Sequence, residues 1–130
     1  MANRTRYRAS VSPNGSLTCL ARVVGVDAAL ITQAGIASIE YTINAVGASA
    51  RSAVTGHDGE TLTVADVVYD SLQTDDRWTE DATGYNFAHT IDISGGLPFP
   101  SAGTVYEIDY VLTDTAGNPI PVEFEARTPA

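Results

Sequence analysis

The sequence has no lysine, a single cysteine and only two histidines among its 130 residues. One cysteine cannot form an internal disulfide, and Cys19 has no histidine or cation close by in the sequence, so we interpret it as a buried, unreactive thiol. No apolar run approaches the roughly 20 residues of a membrane-spanning helix, and we expect no membrane partner. Because no apolar segment follows the first arginines, we also expect no secretory signal and a chain that stays in the cell that makes it.

Motifs for catalysis are missing as well. The sequence has no nucleotide-binding glycine loop, nucleophile elbow, zinc-protease helix or paired cysteines. Histidine is the residue whose ordinary pKa suits proton transfer at neutral pH. His57, beside Asp58 in a glycine-flanked turn, has the pattern of a solvated loop residue, whereas His89 alternates with Phe87 and Ile91 as a packed strand residue does. We therefore predict a protein that is not an enzyme and that binds no cofactor or metal ion.

Charge is distributed unevenly along the chain. All seven basic residues are arginines, and three of them, Arg4, Arg6 and Arg8, fall within the first eight positions, whereas the remaining four face 16 acidic residues. An acidic body repels phosphate groups, so we predict no nucleic-acid partner. The pattern predicts an extended basic arm at residues 1–11 that docks on an acidic surface, such as that of a neighbouring copy. A frayed tail with incidental arginines is the alternative.

The clearest structural signal is a period of two near the C-terminus. In two runs, at residues 105–112 and 120–127, every second position holds an apolar or aromatic side chain. The segment 114–119 between them is rich in turn-forming residues. This pattern predicts a β-hairpin whose buried face consists of Tyr106, Ile108, Tyr110, Leu112, Ile120, Val122, Phe124 and Ala126. The pattern indicates the architecture of the protein but contains no residues that suggest a reaction.

The same hairpin predicts an acidic face. Glu107 and Asp109 would share that face with Glu123 and Glu125, and like charges across paired strands are unfavourable unless a cation neutralises them. The arginine-rich arm of an adjacent subunit would do so, which makes the three N-terminal arginines and these four carboxylates candidate partner-binding residues. The alternative is a solvent-facing acidic edge that keeps the sheet from pairing promiscuously.

Shorter extended segments occupy much of the remaining chain, at about residues 17–24, 36–46, 51–55, 60–63 and 85–93. Helical spacing before the last of these predicts one short helix at about 65–72, capped by Thr63 and carrying Val64, Val67, Val68 and Leu72. About seven short strands with one inserted helix predict an all-β fold. We expect an antiparallel β-sandwich, formed by residues 12–130 as a single domain.

A polar loop at residues 73–84 contains the single tryptophan, Trp78, and four acidic residues: Asp75, Asp76, Glu80 and Asp81. Clustered carboxylates can bind calcium, but their spacing does not follow the calcium-loop pattern. A solvated acidic loop is favoured, and calcium binding at residues 75–81 stays open. An aromatic residue among polar neighbours is typical of an interface anchor, so we include Trp78 among the candidate partner-binding residues. A lid folded over the core is the alternative.

Two segments resemble immunoglobulin-like domains. Ala102 to Ile108 is similar to the entry of the F strand, where a tyrosine beside the strand start forms the tyrosine corner, and Leu17 to Ala21 resembles the B strand. Ile108 stands where antibody domains have their second cysteine, and Trp78 is not on a plausible C strand, which excludes an antibody-type domain. The resemblance implies a disulfide-free sandwich of immunoglobulin-like general plan.

A broader resemblance rests on the stretch from Ile31 to Ile36, the Tyr106-to-Phe124 hairpin and the missing export signal. In these features the chain resembles the small β-sandwich structural proteins of tailed bacteriophages and prophages. The resemblance implies a virion protein, assembled in the host cytoplasm, that binds other capsid or tail subunits and also itself. We expect a capsid decoration or stabilising protein. Alternatives are a tail or head–tail joining component, and an immunoglobulin-like module that recognises carbohydrate or a cell surface through Trp78, Tyr69 and Tyr85.

Overall fold

The computed structural model describes residues 7–47 and 50–129, with the backbone alone for Tyr7 and Arg8. The described chain is all-β, as predicted. Its elements in chain order are β1 (Tyr7–Ser10), β2 (Thr18–Ala21), β3 (Ile36–Val46), β4 (Arg51–Ala53), β5 (Glu60–Leu62), α1 (Val64–Val67), β6 (Val68–Gln73), β7 (Tyr85–Thr90), β8 (Val105–Asp114) and β9 (Pro119–Arg127). The two strands beyond the predicted seven are β1, within the predicted arm, and β6, within the predicted helix.

The strands form two sheets. The larger sheet has the order β1-β9-β8-β3-β4, with β5 also pairing to β3, and the smaller sheet has the order β2-β7-β6. Each pair is antiparallel except β1 with β9, which is parallel. The predicted hairpin is confirmed as β8 and β9, whose register pairs Ile108 with Phe124 and Tyr110 with Val122. This hairpin occupies the centre of the larger sheet, between β1 and β3.

The inner faces of the two sheets share one hydrophobic core. Cys19 of β2 and Phe87 of β7 are buried from the smaller sheet, and Ile43 and Tyr110 are buried from the larger one. The ring centroids of Phe87 and Tyr110 lie 4.9 Å apart in an edge-to-face contact. Full burial of an aliphatic or aromatic side chain contributes about 1.5–3 kcal/mol. The contact between the two sheets is therefore a main source of stability.

The predicted helix at residues 65–72 is wrong over most of its length. Only the single turn α1 is helical, and the Thr63 side chain makes no capping hydrogen bond. From Val68 onward the chain is β6, in which Val68 pairs with Phe87 of β7. Val67 and Val68 are β-branched and buried, and such residues suit a half-buried pleated strand better than a helix. In the described part of the chain, α1 is far too short to span a bilayer.

Part of the predicted arm at residues 1–11 belongs to the larger sheet. Residues 7–10 are β1, which lies in register with residues 124–127 of β9 in the same chain. Val11 follows it, is buried, and donates its backbone N–H to the Arg127 carbonyl oxygen at 3.0 Å. The larger sheet therefore begins before the predicted boundary at residue 12. The predicted partner-binding residues Arg4 and Arg6 lie outside the described residues.

Candidate docking face on the larger sheet

The outer face of the smaller sheet is covered by the chain itself. Residues 74–84, between β6 and β7, fold back so that Trp78 packs with Leu20, Tyr85 and Ala88. The ring centroids of Trp78 and Tyr85 are 5.7 Å apart, and only 9 % of Trp78 is exposed. Trp78 is thus a lid on its own sheet, which corrects its prediction as an exposed interface anchor in favour of the alternative.

Carboxylates of the acidic loop hold this lid in place. Trp78 Nε1–H donates to Asp81 Oδ1 at 3.0 Å, and Arg22 forms an ion pair with the same carboxylate at 2.8 Å. Hydrogen bonds from Arg22 and Trp78 keep the pKa of Asp81 well below its ordinary value. Asp75 accepts a hydrogen bond from Tyr85 Oη–H at 2.5 Å, which lowers the pKa of Asp75. In the part of the chain that the structure describes, no three His, Cys, Asp or Glu side chains gather as they would around a metal ion.

The outer face of the larger sheet carries the predicted carboxylates. The register of β8 with β9 places Glu107 opposite Glu125 and Asp109 opposite Glu123, which confirms that the four carboxylates share a face. Glu107 and Glu125 are only 5 % and 7 % exposed, although they lie on the outer face of the sheet. Two buried carboxylates side by side are unfavourable unless nearby groups such as cations compensate them.

The same chain supplies those cations. Arg51 Nη1 lies 2.7 Å from Glu107 Oε1, and Arg127 Nε lies 2.9 Å from Glu125 Oε2. On β1, the backbone of Arg8 is in register with Glu125. Arg51 and Arg127 therefore compensate part of this charge within one chain. The contact of these carboxylates with the arginine-rich arm of an adjacent subunit stays a prediction.

Arg51 and Arg127, which bind the buried glutamates within the described part of the chain, were not predicted as site residues. Arg127 lies two residues from Glu125 on β9, so the period of two that placed Glu125 on the outer face also places Arg127 there. Arg51 is a different case, because it belongs to β4 and reaches Glu107 across β3. No local pattern in the sequence indicates such a contact.

A shallow groove of about 470 Å³ runs along β3 and β8 beside these charges. It is lined by Glu40 and Asp109, by Tyr41 and Val111, and by the small polar side chains Ser38, Thr42, Asn44 and Thr113. Within this lining Val111 is the large apolar side chain that is exposed. Carboxylates and hydrogen-bonding groups along two neighbouring strands suit a cationic protein surface.

Both histidines lie in the core and not at this face. His57 is 1 % exposed, so its interpretation as a solvated loop residue is wrong. Its Nε2–H donates to the Gly96 carbonyl oxygen at 2.8 Å, which leaves Nδ1 to accept a hydrogen bond from Tyr41 Oη–H at 2.7 Å. His89 Nδ1 lies 2.7 Å from Tyr110 Oη, and burial lowers the pKa of His89 to about 4. Both rings are therefore fixed by tyrosines inside the protein.

Comparison with protein-family models, with curated proteins and with solved structures found no match to this chain. The candidate site is therefore defined by the residues and charges of this chain alone. We call it the acidic face, and it consists of the outward side chains of β3, β8 and β9 that carry negative charge: Glu40, Glu107, Asp109, Glu123 and Glu125.

Proposed function

We propose that this protein is a non-enzymatic structural subunit of a tailed-bacteriophage virion, a capsid decoration or stabilising protein that docks through its acidic face. The observation that carries the proposal is the contrast between the two sheets. Trp78 and its loop cover the outer face of the smaller sheet, whereas the outer face of the larger sheet presents a charged groove. The resemblance of the sequence to phage structural proteins supports a virion as the assembly to which the protein attaches.

We also propose an immunoglobulin-like sandwich as the fold. The strand order supports it, since β2-β7-β6 would correspond to strands B, E and D, and β9-β8-β3-β4 to strands G, F, C and C′. Tyr106, near the start of β8, accepts a hydrogen bond at 2.8 Å from the backbone N–H of Ser101, five residues upstream. The tyrosine of a tyrosine corner bonds back to the chain in the same way. In this plan the acidic face belongs to the sheet of strands C, F and G.

Charge indicates which kind of surface the acidic face would meet. Glu40, Asp109 and Glu123 are exposed or half-buried on this face, whereas the buried Glu107 and Glu125 form ion pairs with Arg51 and Arg127. A second copy would present the same negative face, so face-to-face pairing of two copies is disfavoured. A basic surface on a neighbouring virion protein is complementary, and its attraction should weaken as salt screens the charges.

A module that recognises carbohydrate or a cell surface has less support. It would need exposed aromatic rings, but Trp78 and Tyr85 are buried and Tyr69 is half-buried. The large exposed apolar side chains of the described chain are all aliphatic. A tail or head–tail joining component would use the same acidic face, and separate binding to heads and to tails distinguishes it from a decoration protein.

The test is co-sedimentation of the purified protein with phage heads and, separately, with phage tails from a lysate of the source organism. We expect saturable, salt-sensitive binding to heads. The double variant Asp109→Lys/Glu123→Lys reverses charge on the acidic face and should bind at least about tenfold more weakly, which corresponds to about 1.4 kcal/mol. Its thermal unfolding must match that of the wild type closely enough to show that it folds.

A matched control is Asp66→Lys/Asp76→Lys, which changes the net charge by the same amount at two exposed residues outside the larger sheet. This variant should bind as the wild type does. Equal loss in both variants would show that net charge, and not the acidic face, governs binding. Binding to tails alone would replace the decoration role with a tail role, and saturable binding to neither particle would overturn the virion proposal.

A further inference from the structure

A short turn at one end of the two sheets displays apolar side chains to solvent. The turn follows β2: Gly25 N–H donates to the Ala29 carbonyl oxygen at 2.8 Å, and Ala28 N–H donates to the Gly25 carbonyl oxygen at 3.0 Å. Val26 is 69 % exposed at its tip, and Leu30 is 44 % exposed at its base. Exposed aliphatic residues that lie close together are typical of interaction sites rather than of a solvated loop.

This turn forms one wall of a groove of about 300 Å³, and the turn between β8 and β9 forms the other. Ile31, Ile36 and Ile120 also line the groove, and each is less than 10 % exposed. Thr115 N–H donates to the carbonyl oxygen of Gly35, another lining residue, at 3.1 Å, and this bond ties the turn between β8 and β9 to the segment before β3. The groove therefore combines apolar side chains with the polar groups of two turns.

The turn at residues 114–118 is itself held firmly. Asp114 Oδ1 accepts hydrogen bonds from the backbone N–H groups of Ala116 at 3.0 Å and Asn118 at 2.8 Å. On the opposite wall, Ala28 has a left-handed φ of 67°, a conformation that costs a non-glycine residue about 1–2 kcal/mol. Residues held in such sparsely populated conformations cluster at sites that bind ligands.

The charges of the lining indicate the chemistry of an occupant. Two of the described lining residues, Asp27 and Asp114, carry carboxylates, and none of the described lining residues is cationic. The complement is an apolar side chain for the interior with a positive charge beside it. We propose that this groove binds a segment of a partner protein in which an apolar residue is flanked by arginine or lysine. The lining of the groove shares no residue with the acidic face. The groove would therefore be a second contact surface, and its proposal does not depend on the proposed function.

The test is a titration of the isotope-labelled full chain with the blocked peptide acetyl-Arg-Leu-Arg-amide, followed by amide chemical shifts. We expect the shifts to concentrate at residues 25–36 and 114–118. Acetyl-Arg-Ser-Arg-amide should bind about tenfold more weakly, because it loses the burial of one leucine side chain. Acetyl-Glu-Leu-Glu-amide should also bind more weakly, because its carboxylates meet those of Asp27 and Asp114.

Variants of the protein provide the second arm of the test. Val26→Ser/Leu30→Ser should weaken binding of the arginine peptide about fivefold or more, whereas Ile93→Ser/Leu97→Ser, which alters two similarly exposed residues outside the groove lining, should leave it unchanged. Shifts confined to the acidic face, or equal affinity for the arginine and glutamate peptides, would overturn the proposal. Head binding by Val26→Ser/Leu30→Ser reports on the proposed function separately, since those residues are not part of the acidic face.

Discussion

Replacement of Arg51 by methionine should destabilise the protein by about 1–2 kcal/mol. Arg51 Nη1 lies 2.7 Å from Glu107 Oε1, and Glu107 lies opposite Glu125. At that distance the Coulomb energy is about 6 kcal/mol for an effective dielectric constant of about 20. The Glu107 side chain is 6 % exposed but that of Arg51 is 58 % exposed, so water screens most of this energy. Because methionine keeps most of the aliphatic stem of arginine, the loss of stability reports mainly on the removal of the positive charge.

The assay is a double-mutant cycle of urea unfolding for the wild type, Arg51→Met, Glu107→Gln and the double variant. Arg51→Met alone should also lower the Tm by about 3–8 °C. In the Glu107→Gln background, the same substitution should cost less than about 0.5 kcal/mol, because the buried charge is gone. Arg51→Lys, which keeps the positive charge, should recover part of the stability. A coupling energy below about 0.3 kcal/mol would refute the reasoning, since the two glutamates would then be tolerated without Arg51.

Two further predictions concern single residues. Burial, with a smaller contribution from His57, lowers the pKa of His89 from 6.5 to about 4, so the folded state binds fewer protons than the unfolded state between these values. This contribution to stability is full above about pH 6.5 and is lost as the pH falls toward about 4, by about 2 kcal/mol after allowance for solvent screening. His89→Gln should flatten that part of a urea-unfolding profile, and an unchanged slope would argue against this assignment. Ala28→Gly should raise the Tm by about 2–4 °C because it relieves a positive φ, whereas Ala29→Gly should lower it; calorimetric shifts of the same sign for both would contradict the strain at Ala28.

The hairpin of β8 and β9 shows what local pattern can predict. Apolar and charged residues alternate on both sides of a turn, and the observed register buries Tyr110 and Val122 on one face. A shift by one residue would turn every buried side chain toward solvent. For this reason the placement of Glu107, Asp109, Glu123 and Glu125 on one face was also predictable from the sequence.

The segment at residues 64–73 shows where local pattern fails. The spacing of its valines fits a helix, but Val68 pairs with Phe87, which is distant in sequence. The prediction that His57 is solvated is wrong for a similar reason. Its turn approaches the loop at residues 93–96 so closely that a Cβ atom at Gly56 would lie 2.6 Å from the Gly95 carbonyl oxygen. His57 is therefore buried, although the glycines beside it in the sequence are typical of a solvated turn.

The sequence by itself determined the all-β class, the central hairpin and the acidic rows, because these follow from periodicity and from charge within single strands. Only the tertiary structure decided that Trp78 covers its own sheet, that Arg51 reaches Glu107 across β3, and that two turns enclose an apolar groove. Each of these contacts joins residues whose proximity depends on how the strands are ordered in the sheets and how the loops fold back on them. That order is set by the burial of the whole core, and no single segment of the sequence contains enough information to predict it.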